Sequence, residues 1–283
     1  MSDLVLLFPG QGSQEPDMAE TVARLRPDLL EMAAVAVGED PFARVGDGTR
    51  FDQPAIYCAA LAGLERAGRP KADLYAGHSL GEITALVAAG ALSDSDGLRL
   101  VAERGRLMET TAARTGGAML AIQAGREQAA PIAERHGLAV ANDNAPAQVV
   151  LSGPLEGIEA AEAEAREDGM RAKQLPITGA FHSPLMADAV EPFLSFLAEI
   201  ELRTPRAPVF SCVTAAPFDD VRKRLAEALV KPVRWVEVLH ALHTAGGRRF
   251  EETGPGRVLA GLVRRTLEDV EIVGAEPTGT PRG

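Results

Sequence analysis

The stretch Tyr75-Ala76-Gly77-His78-Ser79-Leu80-Gly81-Glu82 sets a serine between two glycines at the Gly-x-Ser-x-Gly spacing, and no other segment constrains the chain as strongly. Such a serine sits on a sharp strand-to-helix turn that pushes its hydroxyl into a cleft, and small residues two before and two after allow the backbone to turn that tightly. The flanks agree. Ala72 to Ala76 can form a short buried strand, and Glu82 to Ala89 reads as an alanine-rich helix stopped by Gly90. The stretch therefore predicts an enzyme with a serine nucleophile.

The chain has 283 residues, 46% of them hydrophobic, enough for one large domain or a domain carrying an insertion. Its apolar side chains are mostly Ala, Leu and Val, which favours helices packed on a buried parallel sheet, an α/β fold. A formal charge of −11 argues against nucleic-acid or anionic-membrane binding, because both draw on basic surface. Cys58 and Cys212 stand alone and predict neither disulfides nor a zinc site, so no metal is expected. Met1-Ser2-Asp3 supplies no basic n-region, and Leu4 to Phe8 is too short for a signal sequence. With no apolar run near membrane length, a cytoplasmic location is expected. Low complexity is confined to the Pro/Gly-rich tail after Glu276.

Along the chain, Asp3 to Phe8 reads as a central parallel strand ended by Pro9-Gly10. In Pro9-Gly10-Gln11-Gly12 the flanking glycines would let the Gln11 backbone approach a ligand, although a plain turn explains them equally. Helical periodicity runs from Ala19 to Val37, breaks around Gly46-Asp47-Gly48 and returns after Asp52-Gln53-Pro54 as far as Ala67. Ser93-Asp94-Ser95-Asp96 offers N-caps for a helix from about Gly97 to Glu109. On its helical wheel Leu98, Leu100, Val101, Leu107 and Met108 form one arc, Arg99, Glu103 and Arg106 lie opposite, and Arg104 falls inside the apolar arc. A guanidinium there needs an anion, from the protein or from a ligand, and the wheel by itself tilts toward a structural ion pair.

From Gly117 to Leu175 the pattern becomes strand Ala118–Gln123, helix Arg126–His136, strands Leu138–Ala141 and Gln148–Leu151, helix Leu155–Asp168 and strand Arg171–Leu175. The order βαββαβ predicts a small ferredoxin-like sheet over residues 115–177, inserted into a large catalytic domain of residues 1–114 and 178–283. Asn142 to Pro146 reads as the turn between its middle strands. Ser183 as N-cap and Pro184 at the first helical position then start a helix directly after His182, with a break expected near Glu191 because of Pro192. Further on, Val209–Val213 and Arg248–Glu252 read as strands, and Asp220–Val230, Trp235–Thr244 and Val258–Leu267 as helices.

A serine nucleophile needs a base for its proton and donors for the oxyanion. Of five histidines, His78 adjoins the serine and would point away from its hydroxyl, while His136, His240 and His243 fall on predicted helices where exposure is ordinary. His182 remains as the candidate, against the general expectation that a histidine is structural or solvated.

With these residues in hand the chain resembles the malonyl-CoA:acyl carrier protein transacylases and the related acyltransferase domains of polyketide synthases. The resemblance covers nearly the whole chain. It rests on Phe8 to Gln14, Gln53-Pro54-Ala55, Gly77 to Glu82, Glu103-Arg104-Gly105, Asn144-Ala145-Pro146, Ala180-Phe181-His182, Pro232 to Trp235 and Gly254-Pro255-Gly256. It implies Ser79 as nucleophile, His182 as its base, the N–H groups of Gln11 and Leu80 as oxyanion hole, and Arg104 as the clamp for a malonyl carboxylate. Phe181 resembles the malonyl-selecting form of its segment. The resemblance further implies an α/β-hydrolase-like large domain and a dyad whose histidine is oriented by a backbone carbonyl just before Pro232. Many relatives carry Gln where this chain has Ala228.

The protein implied by this resemblance is a trans-acting monomer that moves malonyl from malonyl-CoA through a Ser79 ester to the phosphopantetheine thiol of an acyl carrier protein. No cofactor is required, CoA thioester being substrate. An acidic carrier would dock on Arg222-Lys223-Arg224 or Arg248-Arg249. The rival readings are a thioesterase or hydrolase, a transacylase for another acyl group, the malonyl transferase of a malonate decarboxylase, and an inactive carrier-binding scaffold.

Overall fold

The computed structural model describes residues 3–274. The leader reading of Met1-Ser2 and the Pro/Gly-rich tail after Glu276 lie outside the described residues. Ten strands are present among those described: β1 (Leu4–Phe8), β2 (Leu74–Gly77), β3 (Ala118–Ile122), β4 (Ala139–Ala145) and β5 (Gln148–Gly153). There follow β6 (Ala172–Gln174), β7 (Val209–Ser211), β8 (Ala216–Pro217), β9 (Arg249–Glu252) and β10 (Glu271–Ile272).

The larger sheet runs β10-β9-β1-β2-β7-β8 and is parallel except for β8 at one edge. All five residues of β1 are buried, as a continuous apolar run between helix layers requires. Leu6 and Phe8 pack with the helices Thr49–Arg66 and Gly81–Ala88, while Val5 and Leu7 pack on the opposite side with Trp235, Leu239 and Leu262. The register pairs Phe8 with Gly77, which brings the loop after β1 beside the turn after β2. Ligands of open parallel sheets bind beyond such carboxyl ends.

The second sheet is antiparallel with the order β4-β5-β3-β6. Helices Arg126–Arg135 and Leu155–Glu167 cover it around Leu120, Ile132, Leu151 and Ile158. The glutamate-rich face of the second helix, with Glu156, Glu159 and Glu167, is solvated; Ile158, Ala161 and Ala165 turn inward. No helix among the described residues is long and apolar enough to cross a membrane.

Several boundaries differ from the sequence reading, each for a local reason. The segment 19–37 forms two helices, Met18–Leu25 and Asp28–Val37, because Pro27 lies between them. The next helix starts at Thr49, ahead of the expected restart, since the turn of Gly46 to Gly48 ends there, and it continues through Pro54, which lacks the N–H that would bond back to the first turn. The arginine-bearing helix extends over Asp94–Thr115: the Ser93 hydroxyl accepts the Asp96 N–H, and Gly116 in the left-handed region stops it. Asn142 to Ala145 belongs to β4 and not to a turn, which narrows to Pro146-Ala147. Tertiary pairing overrides the poor strand propensity of Asn and Asp there: the Asp143 N–H donates to the Val233 carbonyl and the Val233 N–H to that of Ala141. After His182 the expected helix is first a 3-10 segment, Pro184–Ala189, then an α-helix Val190–Ala198 with Pro192 in its first turn.

Candidate active site

Ser79 has φ 54°, a left-handed conformation that costs a non-glycine residue about 1–2 kcal/mol. The turn is held by close packing. A Cβ on Gly77 would overlap the Gly81 carbonyl, one on Gly81 would overlap the Phe8 carbonyl, and one on Gly10 would lie 2.6 Å from the His78 oxygen. The loop Pro9 to Gly12 therefore lies directly against the elbow. No acceptor among the described residues engages the N–H of Gln11 or of Leu80, the latter opening helix Gly81–Ala88.

The Ser79 hydroxyl donates to His182 Nε2 at 2.8 Å, and it accepts from Arg104 Nη2 at 3.0 Å. His182 Nδ1 donates to the Ala228 carbonyl at 2.7 Å and more weakly to that of Lys231 at 3.2 Å. Those carbonyls can only accept, so the proton resides on Nδ1 and Nε2 is left to take the serine proton. Alanine in place of glutamine at 228 leaves this contact intact, because only the backbone is used. His182 itself is at φ 57° and followed by Ser183, whose hydroxyl donates to the Ala180 carbonyl at 2.6 Å. Burial, then the nearby Arg104 and His78, pushes the His182 pKa down to about 3, so the ring is neutral across the physiological range.

Arg104 is 3% exposed, as its place in the apolar arc predicts. The expected structural ion pair is absent among the described residues: Nη1 donates instead to Gln53 Oε1 at 2.8 Å, and Nη2 to Ser79. Two neutral oxygens suffice because the charge is balanced at longer range. Burial lowers the Arg104 pKa only to about 10, opposed by the field of Glu82, so the guanidinium stays charged at neutral pH.

Glu82, one turn beyond the serine, is 1% exposed and accepts the Cys212 N–H at 2.7 Å. Burial raises its pKa to about 7, against the opposing pull of that N–H and of Arg104. A carboxyl whose folded pKa exceeds its unfolded value near 4.5 binds more protons when folded, so its contribution to stability is full below 4.5 and declines as pH rises to 7. Across that window wild type should lose about 3 kcal/mol relative to Glu82→Gln, read from denaturant midpoints at each pH. A difference independent of pH would show that Glu82 does not titrate there. His182 acts in the opposite sense, losing stability below 6.5, and cancels from this comparison.

A cavity of about 250 Å³ opens over Ser79, walled by Met119, Val150, Leu175 and Phe181, with Asn142 and Asn144 of β4 and Gln148 of β5 as polar points. Asn144 Oδ1 also bonds His78 Nε2 at 2.8 Å, and the His78 ring meets Trp235 edge-on with centroids 5.3 Å apart. His78 thus points away from the serine, as expected, into a structural contact.

The structure brings together Ser79, His182, Arg104, Gln11, Leu80 and Phe181. Sequence reasoning gave no role to Thr49, Gln53, Asn142 and Asn144. A signal existed: Gln53 is a polar residue inside a helix buried from Phe51 to Leu64, one turn from Thr49, and the asparagines alternate along a strand. The arginines of the basic clusters expected to dock a carrier make contacts within the fold, while Lys223 is exposed. Arg222 donates to the Leu197 and Ile200 carbonyls, Arg224 pairs with Asp219 and Glu227, and Arg249 pairs with Glu271. Cys58 and Cys212 are buried and free.

A buried parallel sheet whose elbow holds a serine between an imidazole and a guanidinium defines an α/β protein of the serine acyl-transfer type. The chain belongs to the acyl transferase domain family, whose model matches residues 43–278. It is 42% identical over 92% of its length to the polyketide biosynthesis protein ThaF of Burkholderia thailandensis, of which it spans only 24%. It is 37% identical to the polyketide biosynthesis malonyl CoA-acyl carrier protein transacylase BaeC of Bacillus velezensis, covering 95% of this chain and 98% of that one. Among solved structures, the malonyl-CoA:acyl carrier protein transacylase FabD of Xanthomonas oryzae pv. oryzae superposes with a TM-score of 0.88 at 35% identity, covering 96% and 93% of the two chains. PlMCAT, a malonyl-transacylase solved in complex with the type II polyketide synthase acyl-carrier protein AntF, matches with a TM-score of 0.88 at 32% identity, covering 95% and 94%.

Proposed function

We propose that this chain is a malonyl-CoA:acyl carrier protein S-malonyltransferase working by a ping-pong mechanism. The observation that carries the reading is the guanidinium of Arg104 within 3.0 Å of the Ser79 hydroxyl, so that an acyl group on this serine presents its far end to a buried positive charge. In the free protein Arg104 grips the hydroxyl itself. The carboxylate of an incoming malonyl group takes over the guanidinium, frees the hydroxyl and leaves Ser79 bonded to His182 alone.

Ser79 Oγ then forms a bond to the thioester carbon while its proton passes to His182 Nε2. The oxygen of the tetrahedral intermediate rests on the N–H groups of Gln11 and Leu80. The C–S bond breaks, and the CoA sulfur leaves with the proton from His182. A carrier phosphopantetheine thiol repeats the sequence in reverse, giving its proton to His182 and taking the malonyl group. Phe181 on the cavity wall limits bulk beside the malonyl methylene. The apolar wall keeps water from the ester. This chemistry draws on the chain's own groups and calls for no metal or redox cofactor.

The site lies between an α/β-hydrolase-like catalytic unit, residues 1–114 and 178–283, and an inserted ferredoxin-like unit, residues 115–177. The antiparallel order β4-β5-β3-β6 and its two helices support the second assignment. In this reading the protein works in the cytoplasm as a monomer. The exposed large apolar side chains Val35, Leu155 and Val258 are scattered among the described residues, which supports the absence of a large hydrophobic interface.

The names of BaeC and PlMCAT support both the malonyl group and the carrier partner. Incubation with malonyl-CoA should give an intact mass increased by one malonyl group, discharged by a carrier with a phosphopantetheine arm. Prompt release of free malonate with no adduct would favour a hydrolase. An acidic carrier would meet the cavity mouth, where Val258, Leu259 and Leu262 line the opening; Arg264 and Arg265 follow on the same helix, with no carboxylate partner among the described residues and Arg265 donating to Gln148 Oε1 at 3.0 Å. Reversing both arginines to glutamate should slow transfer to the carrier about 10-fold at low salt and leave loading from malonyl-CoA unchanged. Reversal at Arg222-Lys223-Arg224 or Arg248-Arg249 tests the surfaces marked by the sequence. A larger loss there would move the docking face.

A further inference from the structure

We propose that Thr49 is a positioning residue whose hydroxyl ties the Gln11 loop to the Arg104 guanidinium, holding the two ends of the bound acyl group in register. The inference rests on the malonyl-transfer reading and extends it to a residue that touches no substrate. Arg104 Nη1 donates to Gln53 Oε1 at 2.8 Å, Gln53 Nε2 donates to Thr49 Oγ1 at 2.8 Å, and Thr49 Oγ1 donates to Gln11 Oε1 at 2.7 Å. Gln11 Nε2 completes the series with a longer bond to Asp52 Oδ2 at 3.4 Å, while Asp52 Oδ1 accepts the Gly46 N–H at 2.8 Å.

The direction of this chain is dictated by its ends. A guanidinium can only donate, so Gln53 turns its carbonyl oxygen to Arg104 and its amide nitrogen to Thr49. That nitrogen occupies the hydroxyl's lone pair, so the single hydroxyl proton points to Gln11 Oε1, and the Gln11 amide nitrogen points to the Asp52 carboxylate. Each bond polarises the next in the same sense, from a buried cation to a carboxylate. While the field of Glu82 acts on Arg104 directly, two amides and a hydroxyl link the guanidinium to a second carboxyl group, that of Asp52.

Thr49 is the joint because it belongs to a different element from both the Gln11 loop and the helix that carries Arg104. It opens helix Thr49–Arg66 and is 6% exposed, while Gln53, one turn along, is fully buried. Gly105 packs the arginine's helix onto this turn, where a Cβ would lie 2.8 Å from the Thr49 carbonyl. Removing the hydroxyl leaves Gln11 Oε1 without its donor and Gln53 Nε2 with only the Met108 sulfur at 3.3 Å. The Gln11 loop then loses its anchor beside the oxyanion, and the arginine its fixed acceptor.

The test compares wild type, Thr49→Val and Thr49→Ser in single-turnover acylation with malonyl-CoA and acetyl-CoA, with thermal midpoints measured in parallel. Valine keeps the shape without the hydroxyl. It should lower the acylation rate about 10- to 100-fold for both thioesters and raise the half-saturating concentration for malonyl-CoA alone. Serine, which restores the hydroxyl, should return both to within about 3-fold of wild type at an unchanged protein concentration. Equal rates for valine and wild type would overturn the proposal, as would serine failing alongside valine or a loss that merely follows the thermal midpoint. A wild type that forms no malonyl adduct would overturn the transferase reading itself, a result distinct from unimpaired loading in Thr49→Val.

Discussion

Ser79→Ala is expected to carry no acyl group after incubation with malonyl-CoA and to transfer malonyl to a carrier at least about 10⁴-fold more slowly than wild type, because losing the nucleophile removes the covalent path. Intact-mass measurement of both proteins checks this directly. The fold should survive: the backbone at 79 stays in the turn set by Gly77 and Gly81, and the removed hydroxyl contributes only its bonds to His182 and Arg104. A malonyl adduct on the alanine variant would place the nucleophile elsewhere.

The second large effect concerns Arg104. Arg104→Ala should reduce kcat/KM for malonyl-CoA by about 10²–10⁴-fold, the range expected when one partner of a buried, hydrogen-bonded charge pair is removed. Acetyl-CoA has no carboxylate to lose its partner, so its kcat/KM should fall by less than about 10-fold and the preference between the two should collapse. Lysine should not rescue. It would supply one ammonium where the guanidinium reaches Gln53 and Ser79 with two separate nitrogens. A panel of acyl-CoA thioesters with adduct detection measures the shift, and an unchanged malonyl preference would remove Arg104 from the clamp role. Circular dichroism and a thermal midpoint would separate this from misfolding, since removing the buried side chain leaves Gln53 Oε1 without its donor.

These two results bear on one arrangement. In the free protein the guanidinium bonds the serine hydroxyl, and the same hydroxyl bonds the histidine, so Oγ is shared between a donor and an acceptor. Loss of Arg104 should therefore also alter how the hydroxyl is presented to uncharged thioesters, which is why a modest change with acetyl-CoA is expected.

How much of this could be read from residues alone depended on whether the physical cause was local. The elbow was legible because a left-handed serine between two residues that tolerate no Cβ leaves its mark in the spacing of glycines. The buried arginine was legible because a helix projects its neighbours at fixed angles, and Arg104 indeed lies with Leu100, Val101, Leu107 and Met108 in the interior. His182 could be singled out by elimination and by the Ser183-Pro184 start just after it, where the hydroxyl cap and the ring do form the expected entrance.

Where causes were remote the reading failed. Asn142 to Ala145 carries turn residues, yet it runs as a strand, paired on one side with Gln148 to Val150 of β5 and bridged on the other to Val233, some ninety positions away in sequence. Nor does the sequence show the contacts of the basic cluster Arg222-Lys223-Arg224, where Asp219 and Glu227 pair with Arg224 and the Leu197 and Ile200 carbonyls accept from Arg222; its role in docking rests on the charge reversal. The wheel asked Arg104 for an ion pair, and folding answered with Gln53 and a relay to Asp52, none of which a single helix can reveal.

By itself, then, the sequence determined the local devices of this protein: the tight turn around Ser79, the inward side of the arginine's helix, the alternation of strands and helices, and the family to which they belong. Those are consequences of steric rules acting within a few residues of one another. Only the tertiary structure decided which groups meet. The parallel register of Phe8 with Gly77 brings the Gln11 loop to the elbow, and the Ala228 carbonyl fixes the proton of His182. The start of helix Thr49–Arg66 lies between Gln11 and Arg104. Such meetings depend on how separate elements pack, and packing is a property of the whole core.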